Sequence, residues 1–188
     1  MGIYLIKYLK SLPETNSIFL VTNVQEPDML QKLKDENALP TQLYLSTNAA
    51  DYKSFLEINR PRYEDSWERW NTSLRMLSKL NTRTVLRITL IRNYNDGDEM
   101  IPAFASMLRN SSPNFVEIKS YMHIGRSTNR LEHDNMLDMD EVRHFASKLS
   151  EQSEIFSVMD ESFISRIVVL QNQERFIDRL IPTYAQTN

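Results

Sequence analysis

The sequence has 188 residues, of which 41% are hydrophobic, with a formal charge of −3 and a pI of about 5.7. That length supports one domain with a real core, and the bulk charge calls for neither a nucleic acid nor an anionic membrane as partner, although local basic patches remain compatible with it. There is no cysteine, which excludes disulfides, thiol nucleophiles, thiolate metal sites and any iron–sulfur cluster held by the chain's own thiolates.

In chain order, residues 3–12 place Ile6, Leu9 and Leu12 at helical spacing, "SIFLVTN" (17–23) reads as a strand, 27–36 as a helix and "TQLYLSTN" (41–48) as a strand. Residues 50–58 and 64–80 read as helices, the second with Trp67, Trp70, Leu74 and Leu77 in an apolar stripe. The strand "TVLRITLIR" (84–92) follows, then a turn at "NYNDGD", a helix over 98–109 and a strand over 115–123. A long polar loop, 124–137, leads to a helix over 139–150 and strands over 154–159 and 165–170, before a tail with Phe176, Leu180 and Ile181 that packs or frays. No repeat or linker divides the chain, so 1–188 is expected to form a single domain. Its apolar runs fall far short of the ~18 residues of a membrane span. "MGIYLIKYLK" has no small-residue cleavage site, and a cytoplasmic protein is expected.

Strands that alternate with helices are joined by right-handed crossovers into a parallel sheet, so the fold class is α/β. Three strands carry one polar side. Gln42, Tyr44, Ser46 and Asn48 alternate with Leu43 and Leu45; Arg87 and Thr89 with Leu86, Ile88 and Leu90; and Glu117, Lys119, Tyr121 and His123 with Val116 and Ile118. Unpaired burial of such charges is costly, so the polar face lines water or a ligand while the apolar face lies under the helices. A barrel or half-barrel with a functional interior fits; an antiparallel or mixed sheet with one solvated face fits as well. His123, His133 and His144 are too scattered for a zinc set, and "NYNDGDE" lacks the EF-hand register, so no metal site is expected from the residues.

"FLVTN", "TQLYLSTNA" with "INRP" after it, "RTVLRITLIR", "NFVEIKSYMHIGRSTNRLEHDNM" and "SRIVVL" come in an order and spacing that resemble tRNA 4-demethylwyosine synthase, from about Ile3 to Leu170. The resemblance implies a partial, TIM-like radical S-adenosylmethionine (SAM) barrel with its helices on the outer face. It also implies a role in wybutosine biosynthesis, where the family's lyase forms 4-demethylwyosine from N1-methylguanosine 37 of tRNA-Phe and pyruvate. The family's CxxxCxxC cluster loop, its "GEP" strand and its pyruvate lysine have no counterpart here. The chain is therefore expected to be the C-terminal part of the barrel, to hold neither SAM nor a 4Fe–4S cluster stably, and to be inactive alone. A non-catalytic tRNA-binding module derived from that barrel is the alternative.

The resemblance also assigns residues. Thr22, Asn23, Ser46, Asn48, Arg87 and Thr89 take cofactor-binding positions, with Arg87 suited to a carboxylate. Val24 stands where the family has glycine, and Ser46, Thr47, Asn48 and Ala49 match its "SVDA", so an acidic residue has become Asn48. Glu117 and Lys119 match the "E.K" strand and are the catalytic candidates; a plain structural ion pair is the other reading of them. Arg60, Arg62, Arg126 and Arg130 are candidate contacts to the anticodon loop, against a merely solvated loop. An open edge beside residues 18–23 is expected to favour self-association.

Overall fold

Helix starts are written locally. Pro27 opens α2 (Pro27–Asp35), where its missing N–H costs nothing. The Asp51 carboxylate caps α3 (Tyr52–Asn59) by accepting from Ser54 N at 3.0 Å, and Asp138 and Glu141 form a reciprocal capping box on α6 (Met139–Ser153). The other helices are α1 (Gly2–Ser11), α4 (Ser66–Met76) and α5 (Ile101–Ser111). The strands are β1 (Phe19–Thr22), β2 (Gln42–Thr47), β3 (Arg83–Leu90), β4 (Phe115–Ser120), β5 (Phe156–Ser162) and β6 (Ile167–Asn172). This computed structural model describes residues 2–23 and 25–181, so Val24 lies outside the described residues.

The strands form one sheet in the order β1-β2-β3-β4-β6-β5. The first four are parallel neighbours, as the strand–helix alternation requires. The last two add an antiparallel hairpin against β4, so the sheet is mixed. No crossover helix separates β5 from β6, which leaves a hairpin as the local solution. A bulge between Val158 and Asp160 interrupts β5 at the outer edge.

Parity divides the sheet. Leu43, Leu45, Leu86, Ile88, Leu90, Val116 and Ile118 are each 0% exposed and meet Phe55, Trp70, Phe104 and Phe145 from the helices in one core cluster. Burying a side chain of this size contributes about 1.5–3 kcal/mol. Leu170 and Val168 pair with Val116 and Ile118 and extend that face into the hairpin. Tyr44, Ser46, Arg87, Thr89, Glu117 and Lys119 occupy the other face and are only partly buried.

Three expectations are corrected. Thr22 pairs in register with Leu45, so it shares the helix-covered face rather than the polar one. Strand β4 stops at Ser120, and Tyr121, which continues the sequence alternation, is 6% exposed in a small cluster with Ile58, Ile91 and Leu131. His123 likewise lies past the strand, its backbone N–H directed at Met136 Sδ. The tail packs against the sheet: Gln171 Nε2 donates to Ile177 O at 2.7 Å, and Arg83 donates to the carbonyls of Asp178 and Arg179.

Candidate functional site

Every parallel strand points its C-terminal end the same way, and this end of a βα sheet collects functional side chains because the loops there are free to vary. Here the ends of β1 and β2 and the segment after α3 enclose a cavity of about 610 Å³, whose lining includes Asn23, Ser46, Asn48, Arg60, Arg62 and Arg130. Two sets of expected residues thus meet: three of the cofactor-side candidates and three of the four arginines. Arg126 is exposed in the short turn Gly125–Asn129 and does not line this cavity. Among the lining residues the only acid is Glu26, which faces Arg69 at 3.7 Å, so the cavity is locally cationic in an acidic chain.

The cavity walls are held by backbone geometry. Arg60 takes a left-handed conformation (φ 46°) as it closes α3, and its N–H donates to Leu56 O. Pro61 follows with its restricted φ. The Arg130 guanidinium donates to Ile58 O at 3.4 Å, at the negative end of α3, which draws the loop after β4 onto the loop after α3. Asn95, fully buried in the turn after β3, donates to Asn48 O at 2.7 Å and to Thr89 O at 2.9 Å and accepts from Ile91 N at 2.6 Å. Sequence reasoning saw only a turn at this position.

Gln25 also escaped notice. Its amide donates to Ser66 O at 3.4 Å, while its Oε1 is buried at the cavity with no hydrogen-bond partner among the described residues. An orphaned buried acceptor beside Asn23, Ser46 and Asn48 suits a ligand that brings hydroxyl or amino donors, as an adenosyl group does. The residues therefore fit the nucleoside part of SAM. They do not fit a 4Fe–4S cluster, because the chain has no thiolate; among the described residues no three His, Asp or Glu side chains converge on a metal position either.

Lower on the polar face, Arg87 Nε donates to Glu117 Oε1 at 2.7 Å, and its guanidinium lies 4.7 Å from the Tyr44 ring centre. Burial, and after it the Glu117 charge, raise the Tyr44 hydroxyl's pKa above its ordinary value. Thr89 and Lys119 are register partners one step nearer the strand ends, and Lys119 has no ion-pair partner among the described residues. At the opposite end of this face, Tyr44, Arg83, Glu117, Leu180 and Ile181 line a second cavity of about 320 Å³. Burial lowers the pKa of Arg83, which also stacks 4.5 Å over Phe115.

Residues 110–172 match the family model described as wyosine base formation. The chain is 36% identical over 156 residues to the S-adenosyl-L-methionine-dependent tRNA 4-demethylwyosine synthase of Pyrococcus abyssi, covering 83% of this chain and 45% of that one. It is related to the tRNA 4-demethylwyosine synthases. The enzyme of Methanocaldococcus jannaschii is 38% identical over 160 residues, covering 85% of this chain and 48% of its own. A solved structure of TYW1 with a lysine-pyruvate adduct bound superposes with a TM-score of 0.79 at 34% identity, covering 93% of this chain and 53% of that one. An archaeal TYW1 crystal structure gives 0.73 at 31% identity. The chain spans less than half the length of these curated relatives.

Proposed function

We propose that the chain takes part in wybutosine biosynthesis as the substrate-facing part of a 4-demethylwyosine synthase barrel. The observation that carries this reading is the single cavity at the strand ends where Asn23, Ser46 and Asn48 meet Arg60, Arg62 and Arg130. In the family's reaction, SAM supplies the radical that begins ring building on N1-methylguanosine 37 of tRNA-Phe with pyruvate. Asn23, Ser46 and Asn48, with the orphaned Gln25 oxygen, would hold the adenosyl group. Thr22, turned to the helix side, supports β1 from behind. Arg60, Arg62, Arg130 and the exposed Arg126 would contact the anticodon-loop phosphates.

On the polar face Lys119 offers a free amine and Glu117 a carboxylate fixed by Arg87. The unpaired nitrogens of Arg87 suit the carboxylate of pyruvate or methionine, and Thr89 sits beside Lys119 to orient a bound oxygen. The cluster would have to be held outside these residues. A cytoplasmic setting goes with this reading, and no helix of the described residues is long and apolar enough to cross a membrane.

A second reading is a non-catalytic tRNA-binding module on the same barrel, which the three arginines at the cavity would serve equally. Both readings predict that the purified chain binds tRNA-Phe, with affinity falling as salt rises and as Arg60, Arg62 and Arg130 are replaced by Ala. Binding that ignores all three substitutions overturns both. Saturable SAM binding in calorimetry, lost in Asn48→Ala, supports the enzyme part over the module.

Strand β1 is an edge of the sheet; its Phe19 (51% exposed) and Val21 (53%) pair with Gln42 and Tyr44 and so lie on the polar face, and Tyr4 and Tyr8 of α1 are exposed as well. Self-association of the chain through this edge is part of the proposal. Light scattering that shows a strict monomer at high concentration removes that part.

A further inference from the structure

Tyr63 stands at the mouth of the larger cavity, between the arginine segment and the outer surface. It is 53% exposed, and it lines both that cavity and a neighbouring cleft with Tyr52, Leu56 and Trp67. It is therefore an exposed lining residue, whereas Ser46 and Asn48 of the same cavity are half-buried.

An exposed tyrosine is ordinarily mobile, but this one is braced. Its carbonyl accepts from both the N–H and the hydroxyl of Ser66, at 3.2 and 2.7 Å, which fixes the backbone at the start of α4. The Arg69 guanidinium lies 5.2 Å from the ring centre. Arg69 is itself anchored, by Asp65 just before α4 at 2.8 Å and by Gln25 O at 3.4 Å across to the loop after β1. Just before Tyr63, the left-handed Arg60 and then Pro61 leave the segment little freedom.

The arrangement is an ordered aromatic ring that lines one cavity with three exposed arginines, Arg60 and Arg62 just before it in sequence and Arg130 from the loop after β4. Single-stranded RNA is bound by such sets, in which arginines track phosphates and an aromatic face stacks an unstacked base. Duplex nucleic acid offers no free base face to a ring of this kind. We infer that Tyr63 is the stacking platform for a base splayed out of the RNA loop beside the modified nucleotide. This rests on the RNA-facing reading proposed above and names the residue that would give it grip on a base rather than on phosphate alone.

The test uses the full chain and a short anticodon stem-loop RNA carrying 2-aminopurine at a position next to nucleotide 37. Tyr63→Ala and Tyr63→Leu should each raise Kd by about 5- to 150-fold and abolish quenching of the probe, with the slope of log Kd against log salt unchanged. Tyr63→Phe should keep both affinity and quenching, since stacking needs the ring and not the hydroxyl. The side chain is outside the core, and melting curves check that each variant is folded.

Ala and Leu variants that bind as the parent does, while Arg60→Ala and Arg62→Ala weaken binding, overturn the stacking role and leave the RNA-facing reading standing. A parent chain that shows no salt-dependent RNA binding sinks that reading and this one with it. A Tyr63→Phe variant as weak as Tyr63→Ala points to a hydroxyl contact, and a Tyr63→Ala variant that loses SAM but not RNA points to an adenine platform. Each of those outcomes also overturns the inference.

Discussion

Arg87 and Glu117 occupy the same rung of the parallel β3–β4 ladder and are joined at 2.7 Å on the polar face, with side-chain exposures of 28% and 12%. A rung of opposite charge between adjacent strands satisfies both groups without removing them from the wet side of the sheet. Replacing Arg87 by Ala should therefore cost only about 1–2 kcal/mol, between the values for exposed and buried pairs, and Glu117→Gln in the same chain should recover part of it. Urea unfolding of the single and double variants measures this. A loss large enough to unfold the Arg87→Ala chain would make the arginine structural and remove it from the substrate face.

Tyr44 couples this pair to alkaline stability. Burial and the neighbouring Glu117 raise its folded pKa above that of an unfolded tyrosine. The sign follows: its contribution is full below pH about 10 and is lost as pH rises through the folded pKa. Tyr44→Phe should flatten that part of the alkaline decline. Glu117→Gln should bring the tyrosinate absorbance change to lower pH in the folded chain.

At the acid end, Asp51 carries the opposite sign. Burial pushes its carboxyl up, but the Ser54 hydroxyl and N–H, with Lys53, outweigh burial and hold the pKa below the ordinary value. Its stabilising effect is complete above about pH 4 and is lost as pH falls through the lowered folded pKa. Asp51→Ala should cost about 1 kcal/mol at neutral pH and fray α3 toward Arg60, whereas Asp51→Asn should keep most of the cap. Thermal melts of the three chains at neutral and acid pH compare the two effects.

The tail gives a local test. Arg83 donates to the carbonyls of Asp178 and Arg179, and Asn114 Nδ2 donates to Arg175 O at 3.1 Å. Arg83→Ala should raise hydrogen–deuterium exchange across 175–181 while leaving β3 protected, because the guanidinium anchors the tail and not the ladder. Unchanged exchange there would mean that the tail is held by its other contacts alone.

Much of this fold is legible in the sequence, and the failures have identifiable physics. Leucine, isoleucine and valine at alternate positions of β2, β3 and β4 announce both the strands and the face that the helices cover, and the intervening helices make the strands parallel. The turn between β5 and β6 carries exposed Phe163 and Ile164 and a left-handed Arg166 in place of a glycine or asparagine, so no turn chemistry advertises the hairpin. Tyr121 keeps the alternation of β4 but is drawn inward once its N–H bonds to Leu90 O, and local periodicity cannot register that long-range bond. Likewise the arginines beside Pro61 stand out in sequence. The bracing of Tyr63 depends on Arg69 and Gln25, whose approach exists only after the loop after β1 and helix α4 are packed.

Asn95 has a consequence for how this loop can vary between relatives. One buried amide fills three bonds at fixed distances, to Ile91 N, Thr89 O and Asn48 O, so the residues between Ile91 and Asn95 form a closed ring of set circumference. An inserted or deleted residue inside that ring would displace the amide and leave buried peptide groups without partners, each at about 1–3 kcal/mol. Length changes should instead accumulate at the tip of the β5–β6 turn, where Ile164 is 95% exposed, making that tip the place to graft a peptide tag or a fluorophore without disturbing the strand ends.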